Sequence, residues 1–106
     1  MITLLDRIKY TLANKSLVKN ASPSQEYEGC MIAHWEQKTR INLQNREWAC
    51  PKCGGRFSRE DLDGAHVVPF NRNNTPQFIT PLCQTCNREK DKQPFLVENA
   101  FLVPAP

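Results

Sequence analysis

No long apolar run occurs in this sequence. The stretch from Met1 to Leu5 is interrupted by Asp6, Arg7 and Lys9, and nothing approaches the roughly 18 apolar residues that span a bilayer. No membrane partner is expected. A positively charged n-region followed by an apolar h-region, the mark of a secretory signal, is also missing. Asn20-Ala21-Ser22 matches the glycosylation tripeptide but has no meaning without secretion, and the expected setting is cytoplasmic, with reduced thiols. Aromatic residues make up only 8% of the 106 residues and mean hydropathy is −0.58. The core is therefore expected to be thin, in a size range where domains lean on a metal or a crosslink. Repeats and low-complexity segments are absent. Cysteine is not scarce: there are five, an odd number that argues against a complete disulfide framework.

Periodicity and turn residues organise the chain. Leu5, Ile8 and Leu12 recur at helical spacing, with Thr3 as a cap, and predict a helix over residues 3–18. Asn20 to Gln25 is a linker built around Pro23. Met31, Ile32, Trp35, Thr39 and Leu43 fall on one face of a second helix over residues 26–45, with Glu36, Lys38 and Arg40 facing solvent. Beyond Arg46 the texture changes. Trp48 to Phe57 reads as two short strands joined by a metal-binding turn, with Trp48 and Phe57 as core plugs. Gly64 to Phe70 and Phe78 to Leu82 read as strands flanking the polar loop Asn71–Pro76. A charged helix starts at Cys83, and Phe95 to Val103 forms a strand or strap before a frayed Pro104-Ala105-Pro106.

Cys50-x2-Cys53 and Cys83-x2-Cys86 carry the strongest chemical signal. A Cys-x2-Cys pair with Pro51 after the first cysteine and Gly54 after the second folds into a knuckle whose backbone amides point at the sulfurs. Two knuckles make a tetrahedral four-thiolate site with no open position for chemistry, so the implied Zn²⁺ is structural. Iron–sulfur and redox uses of the same thiols are the alternatives, although a redox pair would want a thioredoxin-like context that is missing. Cys30 lies outside the pattern and reads as a small apolar residue, and His34 as a surface or boundary residue. Formal charge is +3, from 14 Lys+Arg against 11 Asp+Glu. Four thiolates and one Zn²⁺ add −2, leaving about +1, so nucleic-acid contact must rest on local patches.

Between the knuckles lies Asp63-Gly64-Ala65-His66-Val67-Val68-Pro69, and the second knuckle reads Leu82-Cys83-Gln84-Thr85-Cys86-Asn87-Arg88-Glu89-Lys90. From about Trp48 to Lys92 the chain resembles the HNH (ββα-metal) nuclease family in its treble-clef, four-thiolate form. The resemblance implies a zinc-stabilised HNH-like module over residues 47–93; together with the patterning outside it, the expected fold is α+β, with a helical extension over 1–46 before the module and a strap and tail over 94–106 after it. The resemblance also implies that His66 is the general base and that Asn87 helps hold a catalytic Mg²⁺ or Mn²⁺. Two positions depart from the family pattern. Ala65 stands where a metal-binding Asp or His is usual, and Phe78 where an Asn orients the histidine. A methyl group cannot coordinate a cation, and losing a carboxylate removes charge as well as a bond. Asp63 and Asp61 are the candidate replacement ligands, Asp63 lying two residues back on the same strand face as Ala65. His66 otherwise reads as a core histidine or a ligand contact.

Arg56, Arg72, Arg88 and Lys90 are the candidate nucleic-acid contacts, interleaved with Glu60, Asp61, Asp63 and Glu89 that would equally make a solvated, salt-bridged surface. The expected function is that of a zinc-binding, HNH-like protein that contacts DNA, with nuclease activity lost. The alternative is a catalytically silent module that binds a protein partner through its helices. The compact module would suit a phage or mobile-element protein.

Overall fold

The computed structural model describes residues 14–21, 28–89 and 93–106, with the backbone alone for residues 28–30. Its centre is the hairpin of strands β4 (Leu62–Pro69) and β5 (Phe78–Cys83), joined by the polar loop that contains the cis Thr75–Pro76 bond. The register runs without interruption from Leu62 opposite Cys83 to Val67 opposite Phe78. Strand β1 (Lys15–Asn20) pairs antiparallel with β4, β6 (Phe95–Glu98) with β1, and β7 (Val103–Pro104) with β5. The result is a five-stranded sheet of order β6-β1-β4-β5-β7. A separate ribbon pairs β2 (Glu47–Ala49) with β3 (Arg56–Ser58), Trp48 lying opposite Phe57.

Strand alternation divides the core between the two sheet faces. One face presents Leu62, Gly64 and Ile79 to helix α1 (Glu28–Thr39), where Ile32, Trp35 and Leu43 complete a cluster with Val103. Gly64 permits this contact, since a Cβ there would lie 2.6 Å from the backbone of Met31 and Ile32. The other face carries Val18, Ala65, Val67, Leu82, Phe95 and Val97, which pack with Cys50, Cys83 and Cys86. The short helix α2 (Gln84–Arg88) follows β5 directly.

The fold is α+β, but the N-terminal elements differ from expectation. Residues 15–18, expected at the end of the 3–18 helix, are strand; residues 1–13, with Leu5, Ile8 and Leu12, lie outside the described residues, as do 22–27. Pairing on both sides, with β4 and with β6, overrides local helical preference here. The second helix stops at Thr39 instead of running to 45 because Arg40 turns into the left-handed region (φ 62°) and the Glu36 carboxylate accepts the Leu43 amide at 2.8 Å. Leu43 is fully buried, as its spacing suggested, but from a loop. Segments 1–46, 47–93 and 94–106 all contribute strands to one five-stranded sheet. Among them, no helix is long and apolar enough to cross a membrane.

Candidate metal centre

The β2–β3 ribbon turns at the first knuckle. Cys50 donates its amide to the Gly55 carbonyl and accepts from the Gly54 amide, both at 2.8 Å. Gly54 sits at φ +81°, a conformation that costs a residue without a Cβ little. This turn carries Cys53 back over Cys50, and the Gly55 amide points at Cys53 Sγ from 3.5 Å. The second pair is built at a helix start. Cys83 is the last residue of β5 and the N-cap of α2, and its Sγ accepts the Cys86 amide at 3.4 Å. The β4–β5 register brings this helix start to the ribbon turn.

All four sulfurs lie within 4.8 Å of one another, and Cys53 Sγ is 3.9 Å from Cys83 Sγ. A metal with about 2.3 Å bonds to four tetrahedral thiolates sets its sulfurs about 3.8 Å apart. A disulfide would need about 2.05 Å. The arrangement therefore fits one ion such as zinc, with no room for a multi-iron cluster between the sulfurs. Cys50, Cys83 and Cys86 are buried and Cys53 is exposed. Burial pushes the Cys83 and Cys86 thiols up, while the Gly55 amide draws Cys53 down. Buried thiols of this kind become thiolates only when a cation answers their charge, which is what a divalent metal supplies. With all four donors from protein, such an ion has no free position for substrate.

Two further residues hold the centre in place. Asn20, buried on β1, donates its side-chain amide to the carbonyls of Cys86 (3.0 Å) and Glu89 (3.1 Å), tying the α2 end to the sheet. Lys52, inside the knuckle, pairs with Glu89 at 3.3 Å and lies 5.8 Å from the Phe95 ring centroid. Neither role has a sequence signal: Asn20 sits in what reads as a linker, and Lys52 within the metal-binding turn.

The residues expected around a second cation are not gathered at one place. Asp63, Ala65 and Thr80 share the metal-side face, where Ala65 is fully buried. Asn87 belongs to this side, donating its amide to Asp63 Oδ2 at 2.9 Å. By the strand's alternation, His66 leaves the opposite face with Leu62, Gly64 and Val68, half-buried on the α1 side. Phe78 packs against the metal-side core. The basic residues are also dispersed. Arg56 is exposed on the ribbon, 3.5 Å from Glu47, and Arg88 is exposed on α2. Arg72 lies in the β4–β5 loop at the far end of the hairpin, on the order of 20 Å from the thiols by strand rise. Lys90 falls outside the described residues, and so does the side chain of Cys30. His34 is half-buried on α1. No protein-family model, curated protein or solved structure matches the chain.

Proposed function

We propose that this protein is a zinc-stabilised, HNH-like treble-clef module that contacts nucleic acid and has lost metal-dependent cleavage. The order of parts supports the resemblance: a knuckle in a short ribbon, a longer hairpin, then a helix opened by the second cysteine pair. The reading of lost cleavage rests on strand alternation, which sets His66 on the face opposite to Asp63, the partner of Asn87. A general base must come within hydrogen-bond reach of the water it activates. With His66 on the α1 face, a water that it activates would lie away from a cation at Asn87. The Ala65 methyl group is buried where a ligand would be needed, and the Asn87 amide is engaged by Asp63. Nucleic-acid contact rests on the exposed Arg56, Arg72 and Arg88.

Incubation with plasmid DNA and Mg²⁺ or Mn²⁺ tests both halves. The expected result is intact plasmid, together with DNA binding that weakens steeply with salt as phosphate counterions are exchanged. Cleavage abolished by His66→Ala would restore the nuclease reading. Absence of DNA binding at low salt would favour the protein-partner reading, which draws support from one observation. Leu17, Phe70 and Leu96 are 44%, 46% and 44% exposed. Leu17 on β1 lies opposite Leu96 on β6 and is bonded through its carbonyl to the amide of Phe70, just past β4, so the three form an apolar row.

A further inference from the structure

The two ends of the five-stranded sheet are finished differently. At β7, Pro104 removes a donor from the edge, the usual protection against strand addition. At β6 the hydrogen-bond phase exposes donors. The Asn99 amide bonds to the Asn14 carbonyl, so Val97 and Phe95 also turn toward β1. Leu96 and Glu98 therefore direct their N–H and C=O groups away from the sheet. The ribbon repeats this pattern: Cys50 bonds to Gly55 and Trp48 faces Phe57, so Glu47 and Ala49 direct theirs away from β3. Among the described residues no strand pairs with either edge.

These two open edges line the same cleft, of about 660 Å³. One extended residue in a sheet fills about 160 Å³, taking a rise of about 3.3 Å, a strand spacing of about 4.8 Å and a depth of about 10 Å. The cleft thus holds about four residues, the length of β6. Trp48 and Phe101 give it an apolar wall. Among its charges, Glu47 pairs with Arg56 and Glu98 stands across from Lys15, which leaves Arg46 in excess. Open main-chain donors and acceptors on two of its lining strands suit a polypeptide backbone.

We propose that this slot takes one extended strand from another protein, apolar toward Trp48 and Phe101 and carrying a carboxylate opposite Arg46. The inserted strand bridges ribbon and sheet. This site goes beyond the nucleic-acid reading and is independent of it.

The test uses the zinc-loaded full chain and short synthetic peptides in which valine or phenylalanine alternates with either glutamate or lysine, followed by amide hydrogen exchange. The glutamate series should bind at least about tenfold more tightly and slow exchange at Ala49, Leu96 and Glu98. Leu96→Pro, which deletes an outward N–H and leaves the β1 ladder intact, should remove binding without loss of bound zinc. Arg46→Glu should reverse the preference between the two series. Four results would overturn the proposal: no saturation at millimolar peptide, equal binding of the lysine series, slow exchange of these amides in the protein alone, or protection that grows with protein concentration, which would indicate a second copy in the slot.

Discussion

Cys83 is both a candidate metal ligand and the N-cap of α2, because its sulfur accepts the Cys86 amide and lies among the other three thiols. Cys83→Ser retains a capping oxygen and loses a thiolate, so it separates the two roles. A structural zinc contributes on the order of 10–16 kcal/mol, against a net stability of about 5–15 kcal/mol for a whole domain. Cys83→Ser and Cys86→Ser are therefore expected to lose bound zinc and native structure together, read by metal analysis and far-ultraviolet circular dichroism. Cys53→Ser, at the exposed ligand, should weaken zinc binding while leaving a folded fraction in excess metal. If Cys83→Ser kept a native melting transition with no metal bound, capping and packing would be the dominant contributions. The convergence of the four thiols was legible from spacing alone, because a Cys-x2-Cys turn has few conformations. What His66's face packs against was not, since tertiary contacts decide which side of β4 meets α1.

At the scale of elements, the contact between α1 and β4 depends on Gly64 having no side chain. Gly64→Ala must push the helix away from the sheet and is expected to cost about 3 kcal/mol or more, at the upper end of overpacking effects. Gly54→Ala meets no neighbouring atom and pays only for its left-handed conformation, about 1 kcal/mol. Urea midpoints in excess zinc rank the two; similar losses would mean that α1 adjusts freely. The C-terminus of α1 is fixed by Glu36, which accepts from Arg59 at 2.8 and 3.1 Å and from the Leu43 amide. The Arg59 hydrogen bond holds the Glu36 carboxyl below its ordinary range. Its stabilisation is therefore complete above the unfolded carboxylate value, about 4.3, and is lost only as pH falls through the lower folded one. Glu36→Gln should cost about 1 kcal/mol, by an amount that stays flat from about pH 8 to about pH 5. A deficit that shrank across that range would place the Glu36 titration elsewhere.

Across the whole molecule, the thiol cluster joins the ribbon, the hairpin and α2, while Trp35, Trp48 and Phe101 join the ribbon to α1. Trp35 and Trp48 have ring centroids 5.2 Å apart, and Trp48 and Phe101 4.9 Å. Chelation should consequently disturb both faces in one cooperative step, with tryptophan fluorescence and helix signal changing together and recovering when zinc is returned. Acidification should do the same, because protons compete with metal for thiolates. A fluorescence change that left the helical signal intact would show that the α1 face folds without the metal.

Motif spacing, turn residues and hydrophobic periodicity determined the four-thiol site, the β4–β5 hairpin, the ribbon around its knuckle and the burial of Ile32, Trp35 and Leu43. These features are local, or depend on one residue type at a fixed interval. Tertiary structure alone decided that residues 15–20 form a strand, that Asn20 is buried to hold α2, and that His66 and Asn87 part company. Each of these depends on partners from distant segments: β1 exists between β4 and β6, and a side chain's face is set by a register that no single strand carries in its own sequence.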